Sequence, residues 1–181
     1  NWFGRVMGAA PADLTGALGP LTAPARTLFL PYLGGERTPH NDATIRASFL
    51  HLDHATDSAA MTRAVLEGVT FAVRDSFDAL TSTGTQIERL IAVGGGSKSD
   101  YWVQAIATML GMPIGLPVAG DYGGAFGAAR LGLMAATGET TAAASAPQIA
   151  RTIDPIPALQ EAFLARHADY QAAYKALKSL N

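Results

Sequence analysis

Apolar residues recur at spacings of three and four along Met61, Val65, Val69, Ala72, Val73, Phe77 and Leu80, which predicts a long amphipathic helix burying that stripe. Asp57 ahead of Ser58-Ala59-Ala60 supplies an N-cap, and Gly84 ends the pattern. Short continuous apolar runs predict strands. Thr27-Leu28-Phe29-Leu30, halted by Pro31, reads as a buried strand. Leu90-Ile91-Ala92-Val93 reads as an interior strand covered on both faces, and residues 113–118 as a further strand. Between these two, Ser97 or Ser99 caps a helix with Trp102, Ile106, Met109 and Leu110 on one face, closed by Gly111. A glycine turn at 120–124 opens a third helix over 125–136, whose Ala125, Gly127, Ala128 and Ala129 would let it approach a neighbour closely. Residues 34–41 read as a loop and 140–148 as a connection without apolar period. The tail over 157–180 carries Leu159, Phe163, Tyr170, Tyr174 and Leu177 at helical spacing.

Strand, helix, strand, helix is the order of an α/β layer. The chain divides into an N-terminal segment, 1–26, with one or two helical turns near Asp13 and a composition suited to packing on something else; a core, 27–138; and a linker with a terminal amphipathic helix, 139–181. Its 181 residues suffice for one core. With 49% hydrophobic and only 15% charged residues, some apolar surface is expected to meet a partner. A net charge of -2 gives no electrostatic footprint for nucleic acid. Absence of cysteine removes disulfides and thiolate chemistry, which suits a reducing compartment. Neither a basic-then-apolar leader nor a membrane-length apolar run is present, so a cytoplasmic location is expected. The chain also begins without Met, which suggests a piece of a longer polypeptide.

The chemistry-bearing feature is the strand at 90–93 running into Gly94-Gly95-Gly96 and then a capped helix. Bare backbone lets a ligand lie flat against the chain, and helix-start amides favour an anion or a polar ring edge. A nucleotide fits this pattern; a tight turn with no ligand fits it as well. The phosphate-cradling loop G-x-x-x-x-G-K-[ST] is absent. A dinucleotide fingerprint fails at its third glycine, where Ser99 stands, although Asp121 lies near the place of a ribose-binding acid.

Four segments taken together carry a resemblance. Phe29-Leu30-Pro31-Tyr32-Leu33-Gly34-Gly35-Glu36-Arg37-Thr38-Pro39-His40, the Arg63-Ala64-x-x-Glu67-Gly68-x-x-Phe71 helix, Gly94-Gly95-Gly96-Ser97-Lys98-Ser99-Asp100-Tyr101-Trp102 and the glycine-alanine helix from Gly120 to Arg130 stand in that order. In this they resemble the FGGY family of carbohydrate kinases, nearest its xylulokinase branch. The resemblance implies part of the C-terminal domain of an actin-like, ribonuclease-H-like ATPase fold, with ATP and Mg2+ as cofactors and a small sugar, a ketopentose such as D-xylulose, as substrate. It places the adenosine against Gly94, Gly95 and Gly96, with Ser99 and Asp100 beside it, and leaves Mg2+ mainly to the phosphates and to the other domain. A homodimer is compatible with it. Between Arg46 and Leu52, where the family usually carries glycines, this chain has Ala47 and His51.

Phosphoryl transfer also needs a base to take the hydroxyl proton. The family's aspartate for that task sits in a glycine-rich stretch without counterpart here, so no catalytic residue is assigned and the chain alone is expected to be inactive. Glu36 and Arg37 read as a buried or interdomain ion pair, and His51, His54 and His167 lack a second ligand at metal spacing. A non-catalytic nucleotide-binding module and a dinucleotide-dependent enzyme remain as alternatives.

Overall fold

The computed structural model describes residues 2–118, 120, 123–138 and 147–180. Two small sheets, each with its own core, are joined by helices. In the first, β1 (Leu28–Leu30) pairs antiparallel with β2 (Ser48–Leu50), Phe29 opposite Phe49. Two short helices, α1 (Trp2–Met7) and α2 (Pro11–Gly16), precede it, and α3 (Ser58–Ser82) lies across it. In the second, β3 (Leu90–Ile91) is parallel to β4 (Ile114–Pro117), which is antiparallel to β5 (Ile149–Ile153), in the order β3-β4-β5. The crossover from β3 to β4 is α4 (Asp100–Leu110); α5 (Gly123–Thr137) follows β4, and α6 (Pro157–Lys178) closes the chain.

Helix α4 is buried on two opposite sides because residues four apart share a helix face. Ala105 and Met109 enter the core with Leu28, Leu30, Phe71, Phe163 and Tyr170. Val103 and Ala107 enter the other, with Ile114, Leu116 and Ile153. The helix that follows the glycine turn is thereby fixed to both sheets.

Several expectations need correction. The strand at 90–93 is not interior: β3 is an edge strand, its residues are half-buried, and Val93 is 55% exposed. Strand β4 is the covered one. The stripe predicted to be buried on α3 is only half-buried, and Leu80 is exposed; the buried side carries Thr62, Ala64, Glu67, Gly68, Thr70, Phe71 and Asp75. Polar residues face inward there because each finds a partner, as Thr62 and Thr70 do in donating to carbonyls one turn back. On α4, Trp102 and Ile106 are half-buried, while Tyr101, Val103 and Ala105 join Met109 and Leu110 inside. Strand β5 lies between the connection read over 140–148 and the terminal helix, where no element was expected, and β2 had no counterpart in the sequence reading. None of the residues of α5 is buried, and its close approach among the described residues is at Gly123, where a Cβ would lie 3.0 Å from Val93 Cβ, not over 125–129. Residues 140–146 of the expected connection, and Asp121, lie outside the described residues.

The N-terminal segment packs in part on the chain itself. Trp2 stacks on Phe29 with 6.0 Å between ring centroids, and Phe3 meets Phe49. The Arg-Ala-x-x-Glu-Gly motif explains the rest of the attachment. Arg63 donates to Thr22 Oγ1 at 2.6 Å and to the Ala23 carbonyl at 2.8 Å, while Glu67 Oε2 accepts from the Ala25 amide at 3.1 Å. This pair clamps the segment leading into β1.

Glu67 is 1% exposed, and burial pushes its carboxyl from the ordinary 4.5 up to about 7, against the opposing pull of the Ala25 amide, Arg63 and Arg166. A raised acid pKa means that folding favours the neutral form, so the stabilisation is complete below pH 4.5 and is lost as pH rises through 7. The chain should therefore lose about 2–3 kcal/mol of stability between pH 5 and pH 8 through this group. In Glu67→Gln that loss should vanish. Urea denaturation of both proteins across the range measures it, and parallel pH profiles would contradict the assignment.

Candidate functional site

Three glycines follow β3, and each has a different relation to the fold. Gly94 has φ +87°, a conformation that side chains rarely adopt, and its amide donates to the Gly120 carbonyl at 2.9 Å. That bond ties the turn to the second glycine segment. A Cβ on Gly96 would lie 2.3 Å from the Trp102 ring, so Gly96 is needed to let the indole fold back. Gly95 alone has neither constraint: a Cβ there meets nothing within 4 Å and its φ is not positive. Its backbone faces open space.

From Gly95 to Lys98 the chain makes one 3-10 turn, with Ser97 Oγ donating to the Gly94 carbonyl at 2.7 Å. Ser99 is extended and caps α4, accepting from the Trp102 amide at 3.3 Å. Asp100 is the first residue of α4, where a carboxylate suits the positive end of the helix dipole. Arg151 on β5 grips it at two points, Nη1 to Oδ2 at 3.0 Å and Nη2 to Oδ1. That hydrogen bonding holds Asp100 below the usual carboxylate range. Thus Gly94, Gly95, Gly96, Ser99 and Asp100 stand together in the turn and helix start that follow β3. Arg151 was missed, because nothing in the sequence links two residues 51 apart.

Two hollows flank the turn. One, of about 430 Å³, is apolar and runs under β3, lined by Val73, Ile91, Val93, Gly96, Trp102 and Ile106. The other, of about 220 Å³, is polar, lined by Ser97, Lys98, Pro117, Gly120 and Arg151. The turn separates an apolar slot from a crevice bordered by two cationic residues, a combination suited to a ligand with a flat ring and a charged tail.

The loop at 34–41 serves a different purpose. Glu36 does not pair with Arg37, which is exposed; its Oε2 accepts from the His40 amide at 2.8 Å. His40 stacks on Tyr174 at 3.8 Å between centroids, with Nε2 3.9 Å from Asp75. His167, which lacks a second ligand at metal spacing, is buried with Nε2 2.8 Å from Asp75 Oδ1, and Gln171 donates to the same oxygen at 2.7 Å. Tyr170 donates to Tyr32 at 2.6 Å and Tyr174 to Asp42 at 3.1 Å. Asp42 also accepts from Thr44, whose hydroxyl holds the carboxylate down to about 2. This network fastens the loop to α3 and α6. His51 adopts φ +60°, the left-handed conformation that a glycine takes without strain. Among the described residues no group of three or more His, Asp or Glu side chains could hold a metal ion, and no helix is long and apolar enough to cross a membrane.

The sequence model of the FGGY family of carbohydrate kinases, C-terminal domain, matches residues 9–136. Xylulose kinase of Escherichia coli strain K12 is 34% identical over 182 residues, covering 99% of this chain and 37% of that protein. Among solved structures, a xylulose kinase from Brucella ovis is 54% identical with a TM-score of 0.91, covering 99% of this chain and 38% of that one. The xylulose kinase of Rhodospirillum rubrum is 25% identical with a TM-score of 0.80, again over 99% and 38%. The chain therefore spans somewhat more than a third of the length of these relatives. With the family's domain matched from 9 to 136 and the same backbone path in its solved members, the chain belongs to the FGGY family of carbohydrate kinases and carries part of the C-terminal domain of their actin-like, ribonuclease-H-like ATPase fold.

Proposed function

We propose that this chain is the adenosine-seating part of an ATP-dependent sugar kinase that phosphorylates a ketopentose, D-xylulose being the substrate that the names of its relatives favour. The observation that carries the reading is Gly95. Its neighbours are glycines for reasons internal to the fold, whereas Gly95 leaves space that nothing among the described residues fills. A flat ring laid on that backbone accounts for the missing side chain.

In this reading the backbone at 94–96 receives the adenosine, Ser99 and Asp100 border it, and the amides opening the 3-10 turn lie toward its polar side. Mg2+ accompanies the ATP phosphates, and its chemistry would be to neutralise charge on the transferred phosphoryl group. The residues of this chain bind and orient; the base that takes the sugar's proton is not among those assigned here. Sugar phosphorylation by the chain alone is accordingly not expected.

Calorimetric titration with ADP and with NAD tests the reading. ADP should give saturable heat and NAD none. Heat from NAD alone would favour a dinucleotide enzyme and remove the kinase assignment of the site.

A further inference from the structure

We infer that Arg151 is a positioning residue for the ribose of the nucleotide, holding the Asp100 carboxylate as a fixed hydroxyl acceptor beside the glycine turn. The inference rests on the adenosine reading above. Arg151 lies on β5, beyond the residues matched by the family's domain.

A planar guanidinium meeting a planar carboxylate at two points fixes the carboxylate's rotation, which an exposed aspartate at a helix start otherwise lacks. An ionised carboxylate offers about four lone-pair sites. The guanidinium occupies two, one on each oxygen, and the others remain for a hydroxyl donor. Both side chains are more than half exposed, at 61% for Asp100 and 52% for Arg151, so solvent screens the pair and its contribution to stability is small. Orientation, not stability, is what such a pair supplies.

Arg151 is itself well placed. It pairs with Leu116 of β4 in the sheet, and the Gln104 side chain, one turn along α4 from Asp100, donates to the Asp154 carbonyl just past β5. Two links therefore hold β5 along α4. Arg151 also borders the crevice shared by Ser97, Lys98 and Gly120, so the residue that grips Asp100 also lines the hollow beside the turn. A ribose reaching from Gly95 toward that crevice would meet an acceptor already aimed.

Affinities of ADP, 2′-deoxy-ADP and 3′-deoxy-ADP, measured by calorimetry on the 181-residue chain and on Arg151→Met, test the inference. The unsubstituted chain should prefer ADP by roughly tenfold over at least one deoxy analogue, the scale of one hydrogen bond to a charged acceptor. Arg151→Met should bring that ratio to about threefold or less, with little change in melting temperature. Arg151→Lys keeps the charge and the stem but not the two-point grip, and it should lower the ratio too; it replaces the first variant if that one does not fold. A ratio unchanged in a folded variant, or equal weakening of all three nucleotides, would overturn the inference. So would an unsubstituted chain that binds ADP without preferring it, although adenosine seating would then survive; a chain that binds no ADP removes both.

Discussion

Gly68→Ala should be severely destabilising, despite placing the best helix former in the middle of a helix. A Cβ at position 68 would lie 2.1 Å from the carbonyl oxygen of Phe29 and 3.0 Å from its carbonyl carbon. Alanine gains about 1 kcal/mol of helix propensity over glycine. The obstacle is backbone of a strand paired to β2, so it cannot swing aside as a side chain would. Overpacking costs about 1–3 kcal/mol even where the neighbours can relax, and this contact should reach or exceed the upper end. In a chain of this size that corresponds to a melting temperature lower by roughly 5–10 °C. Gly124→Ala is the control, since a Cβ there meets nothing within 4 Å. A Gly68→Ala protein that melts with or above the unsubstituted chain would show that α3 does not touch β1 in this way.

The second large effect concerns binding. Gly95→Val should leave the fold intact, because the added side chain enters open space and the backbone there needs no positive φ. ADP affinity should nevertheless fall by at least tenfold, or about 1.4 kcal/mol, since the valine fills the room proposed for the adenosine. The same change at Gly96 would be uninformative, because it collides with Trp102 whether or not a ligand is present. Unchanged ADP affinity in a folded Gly95→Val protein would count against the site.

These two glycines mark what the sequence makes legible and what it hides. The motifs around them are readable as patterns, and the order of strand, glycine turn and capped helix locates the candidate site without coordinates. Which glycine answers to the fold is not readable, since that depends on Phe29 lying against Gly68 and nothing among the described residues lying against Gly95. The phase of α3 was misread for a related reason. Hydrophobic periodicity assumes that buried means apolar, but Glu67 and Asp75 are buried against the Ala25 amide and His167, partners 42 and 92 residues away. Strand β5 escaped because its Ala150, Arg151 and Thr152 are exposed and only Ile153 is buried, so it lacks the apolar run that announces a strand. With it went Arg151, whose importance appears only once it is seen beside Asp100.

A crystal of the protein grown with ADP is the most direct test of the central claim. The account predicts density for the purine packed on the open backbone face of Gly95, with the ribose toward Asp100. Purine density at a distance from the 94–96 turn would contradict it.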